Sequence, residues 1–170
     1  MGDDWFTERH TATTGLTFAV RDRLFNQQSE FQHVEVLDTP DYGRVLVLDN
    51  CVMLTERDEF VYHEMIAHPA LLTHPCPERV LIIGGGDGGT VRECVRHEAV
   101  QRVELVEIDP LVTEVSRRFF PALTKDLDHP KVSVLHRDGF AHLEQGRGHY
   151  DVILVDSTDP VGEAAKLFTG

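Results

Sequence analysis

The rhythm of apolar and polar positions changes once along the chain, near residue 57. Before that point, short runs alternate with period two, over 16–20, 33–37, 44–48 and 51–55. Period-two alternation predicts half-buried β-strands. Thr39-Pro40-Asp41-Tyr42-Gly43 and Asp49-Asn50 separate these runs as tight turns. Residues 1–57 therefore read as a small antiparallel β domain.

After residue 57 the pattern alternates between helix and strand. Asp58 is placed to cap a helix in which Val61, Met65, His68 and Leu72 recur at helical spacing, and Pro69 is expected to kink or shorten it. Arg79-Val80-Leu81-Ile82-Ile83 is a continuous apolar run, the signature of a strand buried on both faces. A glycine-rich loop follows, then a helix over about 90–97. A second strand over 103–108 carries Glu107 and leads to Asp109, and Pro110 opens a helix with Leu111, Val115 and Phe119 on one face. A third strand over 132–135 ends near Asp138, and a fourth over 150–155 ends at Asp156. Such alternation predicts an α/β domain over 58–170, a parallel sheet with crossover helices. The fourth strand is apolar enough to want neighbours on both sides, yet only residues 157–170 follow it. The expectation is a Rossmann-like domain truncated after its fourth strand, its C-terminal part absent.

Composition narrows the function classes. Sixteen Lys and Arg against 29 Asp and Glu give a formal charge of −13. This argues against a nucleic-acid partner, whose binders carry a basic footprint. It suits a cationic ligand, although acidic surfaces also serve solubility. Cys51, Cys76 and Cys94 are widely spaced and suggest neither a disulfide framework nor a zinc site. Met1 leads into Asp3 and Asp4, unlike a signal peptide, and no apolar run is long enough for a bilayer. The expected setting is cytoplasmic, with no membrane.

In open α/β sheets, ligands bind outside the carboxyl ends of the strands. Each parallel strand here ends in acid: Asp87, then Glu107 and Asp109, then Asp138, then Asp156 and Asp159. Together they would line a cleft; singly, each could cap the next helix. Gly84, Gly86 and Gly89 match the dinucleotide fingerprint, and Glu107 stands where a ribose-binding acid belongs. Asp87 lies inside that loop with no Lys or Arg to offset it. A pyrophosphate would be repelled there, whereas a sulfonium or amine would be attracted, which favours an S-adenosyl ligand over a dinucleotide. Asp156-Ser157-Thr158-Asp159-Pro160 offers two carboxylates for an ammonium, one of them placed to take its proton. The same residues are turn formers, and the pattern alone does not choose. His63 and His68 are five apart rather than four, so they do not share the helical face a zinc pair needs. No metal is expected.

These residues together resemble the polyamine aminopropyltransferases, the family of the spermidine synthases. The resemblance is carried by Thr55-Glu56-Arg57-Asp58-Glu59-Phe60-Val61-Tyr62-His63-Glu64-Met65, Ile83-Gly84-Gly85-Gly86-Asp87-Gly88-Gly89 with Arg92-Glu93, Val106-Glu107-Ile108-Asp109, Asp138-Gly139, and 156–162. It implies a small β domain before a methyltransferase-like Rossmann domain. It also implies transfer of an aminopropyl group from decarboxylated S-adenosylmethionine to putrescine, giving spermidine and methylthioadenosine without a cofactor. Under it, Glu107 would hold the ribose hydroxyls, Asp138 and Gly139 the adenine, and Gln32 would touch the nucleoside. Gly84 and Gly86 would form the nucleoside-binding turn. Asp87 would hold the aminopropyl ammonium and Asp156 would accept the proton. Tyr62, His63, Ser157, Thr158 and Asp159 would shape the amine site. A homodimer or homotetramer is implied through the β domain. The sequence departs from the family at Glu163, where a proline is usual. The competing readings are an S-adenosylmethionine-dependent methyltransferase, for which no basic residue in the loops offers to hold a methionine carboxylate, and a non-catalytic fragment that only oligomerises or binds nucleoside. The acceptor amine is not fixed by the sequence.

Overall fold

The computed structural model describes residues 4–145 and 149–157, which fall into two compact units divided between Glu59 and Phe60. In the first unit, β1 (Trp5–Arg9) pairs antiparallel with β2 (Gly15–Ala19) as a ribbon. A separate four-stranded antiparallel sheet has the order β3 (Asp22–Gln28), β4 (His33–Thr39), β5 (Gly43–Leu48), β6 (Cys51–Thr55). The turn signals at 39–43 and 49–50 join its last three strands, as expected. Phe6, Phe18, Val20, Leu37, Val45 and Val47 form the core of this unit.

In the second unit, α1 (Glu59–Thr73) precedes β7 (Arg79–Gly84), α2 (Gly89–Val95), β8 (Arg102–Glu107), α3 (Pro110–Phe119), α4 (Pro121–Thr124), β9 (Val132–His136), α5 (Gly139–Gln145) and β10 (Val152–Asp156). All pairings in its sheet are parallel, and the order is β10-β7-β8-β9. The fold class expected from the alternation is the one observed. The first strand of this sheet sits between the second and the last, so the crossover direction reverses beside β7. Such a switch point opens a crevice at the strand ends.

β7 is buried on both faces. Val80 and Ile82 join one cluster with Ala67 and Leu71 of α1 and Val91 and Cys94 of α2, while Leu81 and Ile83 join another with Val106. Each such side chain contributes roughly 2 kcal/mol of burial.

Helix α1 runs through Pro69 to Thr73, so the proline does not end it. Proline removes one backbone hydrogen bond, and the packing of Ala67 and Leu71 on either side of it outweighs that loss. The stripe at helical spacing is also the outer one: Val61, Met65 and Leu72 are exposed, and the buried face carries His63, Ala67 and Leu71. Asp58 stands just before the helix, with its carboxylate accepting from the Thr55 hydroxyl at 2.6 Å. Among the described residues, no helix is long and apolar enough to cross a membrane.

Candidate active site

Alternation along three adjacent strands sets the site. Val152 and Leu154 of β10 point into the cluster shared with α1 and α2, so Asp156, the next inward position, is directed to the same face. By the same count Val103 and Leu105 of β8 place Glu107 on that face, and Val80 and Ile82 of β7 place Gly84 between the two acids. Gly84 pairs in register with Asp156. It has φ +79°, and a Cβ there would lie 2.0 Å from the Asp156 carbonyl oxygen. Only glycine meets both conditions.

The loop after β7 closes on these acids through its backbone. Gly86 N–H donates to Glu107 Oε2 at 3.0 Å, and Asp109 N–H donates to Glu107 Oε1 at 3.0 Å. Burial nonetheless pushes the Glu107 carboxyl up to about 7, with the charges of Asp109 and Asp87 adding to the rise. Asp87 Oδ1 accepts from Gly89 N–H at 2.8 Å and lies 3.2 Å from His63 Nε2. Burial alone would raise the Asp87 carboxyl, but the His63 imidazole and the backbone N–H groups outweigh it and hold it below the usual range. His63 reaches this position because Gly89 lacks a side chain: a Cβ there would sit 2.3 Å from the imidazole ring.

Asp156 is buried and takes a 2.6 Å hydrogen bond from Thr90 Oγ1 on its Oδ2. Burial first, and the Asp87 charge second, push its carboxyl up to about 6, against the opposing pull of Thr90, His63 and Tyr62. One ligand atom each from His63, Asp87 and Asp156 lies within 4.8 Å of the others. A pocket walled by two carboxylates and an imidazole grips a cation, whether an ammonium or a metal ion.

The remaining expected residues fall as follows. Tyr62, half exposed on α1, hydrogen-bonds the Asp156 carboxyl. Ser157 follows β10 directly. Asp138 behaves as a helix cap: its Oδ1 accepts from Phe140 and Ala141 N–H at 2.7 and 3.1 Å at the start of α5, which Gly139 opens. Asp109 likewise caps α3 through Leu111 N–H. Gln32 belongs to the first unit, where its N–H and carbonyl close a turn on Ser29. Thr158 and Asp159 lie outside the described residues. The two histidines of the five-residue spacing separate, since His68 faces His97 at 2.9 Å and Glu93 at 3.4 Å, away from the pocket of His63. Thr90 was not among the residues picked out from the sequence. Its only sequence signal is its place at the second position of the helix after the glycine loop.

Comparison with known proteins bears on this geometry. Residues 59–170 match the model of the spermine/spermidine synthase domain. The chain belongs to the spermine/spermidine synthase family. Residues 4–56 match the spermidine synthase tetramerisation domain. The polyamine aminopropyltransferase of Bacillus subtilis is 50% identical over 169 residues, which is 99% of this chain and 61% of that protein. The one from Methanocaldococcus jannaschii is 48% identical over 164 residues, 96% of this chain and 56% of its own length. A crystal structure of spermidine synthase in complex with the transition-state analogue AdoDATO superposes with a TM-score of 0.96 at 38% identity, covering 99% of this chain and 58% of that one. Spermidine synthase from Thermotoga maritima gives a TM-score of 0.89 at 37% identity, covering 92% of this chain and 55% of its own. The chain thus spans about three fifths of the length of the family members it matches.

Proposed function

We propose that this chain carries the donor site and the proton acceptor of an aminopropyltransferase, which moves the aminopropyl group of decarboxylated S-adenosylmethionine to putrescine. The observation that carries this reading is a pair of carboxylates in one pocket with opposite tendencies. Asp87 is held ionised by His63, while Asp156 is pushed up to about 6. Environments that drive two acids apart assign them different tasks. Asp87, whose carboxyl is held below the usual range, anchors the donor's ammonium. Asp156, poised near neutrality, takes a proton from the acceptor amine.

The donor nucleoside lies along the loop, with its ribose hydroxyls on Glu107 and its adenine near Asp138 and Gly139. Asp138 keeps its second carboxylate oxygen for this, since the backbone bonds described above use Oδ1. The diamine lies by Tyr62, His63 and Ser157, with Thr158 and Asp159 completing its binding. The amine nitrogen, freed of its proton by Asp156, attacks the carbon next to sulfur. The C–N bond forms as the C–S bond breaks, and the electron pair neutralises the sulfonium, leaving methylthioadenosine and spermidine. A sulfonium is already an activated leaving group, so the step needs no metal. The protein's contribution is alignment and an unmasked lone pair. The β unit assembles copies of the chain, as the description of its matching domain suggests, and the expected partners are small molecules. The test is product analysis by mass spectrometry with the decarboxylated donor and, separately, with S-adenosylmethionine. Spermidine from the first alone supports the reading, and methylated amine from the second defeats it.

Glu107 gives a pH dependence of known sign. The ionised carboxylate accepts from both ribose hydroxyls, whereas the protonated form must donate with one oxygen. With the free carboxyl near 7, the ionised fraction rises about tenfold between pH 6 and 8. Methylthioadenosine does not titrate in that range, so its affinity rises by up to about tenfold over the same interval. Calorimetric titration at the two pH values measures this, and equal affinities would remove Glu107 from the ribose.

A further inference from the structure

Thr90 has a hydroxyl that its own helix does not use. Helix α2 is capped by Gly88 in a left-handed conformation, without a side-chain cap. The Thr90 side chain is fully buried, and its hydroxyl reaches across to β10 to donate to Asp156 Oδ2 at 2.6 Å. A hydroxyl has one proton to give, and here it goes to a carboxylate, the stronger type of hydrogen bond. The contact joins residues 66 positions apart. It engages Oδ2 of Asp156 from inside the protein.

We propose that Thr90 is a positioning residue for Asp156, holding Oδ2 so that the other carboxylate oxygen faces the amine and is ionised when the amine arrives. The inference rests on the reading of Asp156 as the proton acceptor. The other groups facing Asp156 are Tyr62 and His63 from α1, Asp87 from the loop, and the Cys94 thiol from α2. Asp87 and burial disfavour ionised Asp156; Thr90, His63 and Tyr62 favour it. Thr90 is the one among them whose hydrogen bond is made from inside the core, out of reach of substrate. It therefore acts in the free and the loaded site alike.

Two substitutions separate this role from packing. Thr90→Val keeps the shape and removes the proton; Thr90→Ser keeps the proton and loses a methyl group. If Thr90 only fills space, valine is the milder change. If it positions Asp156, serine is. For Thr90→Val the acid limb of the kcat–pH profile moves up by about one unit, so that kcat falls about tenfold at about pH 5 and about twofold at about pH 7, with a smaller change in the KM of the amine. Thr90→Ser restores the wild-type limb. A carbon-13 NMR titration of the Asp156 carboxyl, made on wild type and both variants, reads the same shift without turnover. An Asp156 that titrates alike in wild type and Thr90→Val overturns the proposal, as does a serine variant no better than the valine one. If wild type transfers no aminopropyl group, the reading of the reaction falls, while the titration still decides the role of Thr90.

Discussion

With Asp156 as the proposed proton acceptor, Asp156→Asn is expected to lower turnover by about a hundredfold or more, because the amine then keeps its proton and has no lone pair to attack with. The fold survives the change. Asparagine has the same shape, and its carbonyl oxygen still accepts from Thr90. It also removes a buried negative charge beside Asp87. The sign of that effect follows from the raised carboxyl. A folded-state value of about 6, above the ordinary 3.8, means that the folded protein holds the proton more tightly than the unfolded chain. The associated stability is present below pH 3.8 and is lost as the pH rises through about 6. At pH 8 the ionised carboxylate therefore costs the fold something on the order of 1–3 kcal/mol. The variant should melt at or above the wild-type temperature at pH 8 while having lost its turnover. Steady-state kinetics and thermal melting on the same sample check both halves. Near-normal turnover would take the proton acceptor away from Asp156, and a large drop in melting temperature would make it a structural residue.

Gly84→Ala has the largest effect on stability. The left-handed backbone at +79° costs a non-glycine residue roughly 1–2 kcal/mol. The new methyl would also meet the Asp156 carbonyl oxygen, which is backbone and belongs to the paired strand. β10 must then move away from β7, at a further cost of roughly 1–3 kcal/mol. A total of about 3 kcal/mol corresponds to a fall in melting temperature of about 6–12 °C for a chain of this size. Turnover is lost with it, since the strand that moves carries Asp156. A melting temperature within a degree or two of wild type would mean that the β7–β10 contact is looser than the geometry implies.

These two residues also illustrate what the sequence alone discloses. The apolar run of β7, the glycine loop and the acids after each strand are local patterns, and all were readable. That Asp156 lies against Gly84 and Thr90 was not, because it follows from the sheet order. The last strand pairs with the first, and nothing near Asp156 in the chain announces this. β3 went unseen for a different reason. Its Asp-Arg-Leu-Phe-Asn-Gln-Gln has little strand character, and it is held by its ladder to β4 and by Arg23 and Asn26 on Glu35. β1 was missed too, being one short strand of a two-stranded ribbon. Helix α5 buries no residue and so leaves no apolar stripe to detect. In α1 the stripe was readable but belonged to the outer face. The inner face is marked by a histidine and an alanine, His63 and Ala67, which periodicity in large apolar residues overlooks.

The most direct measurement is a stoichiometry. The protein is incubated with decarboxylated S-adenosylmethionine and putrescine, and methylthioadenosine and spermidine are quantified together over time. Equal amounts of the two, with neither formed when putrescine is omitted, are the outcome that the acidic pocket of Asp87 and Asp156 leads us to expect. Methylthioadenosine released without spermidine, or a nucleoside that binds and is never turned over, would mean that this pocket does not carry out aminopropyl transfer.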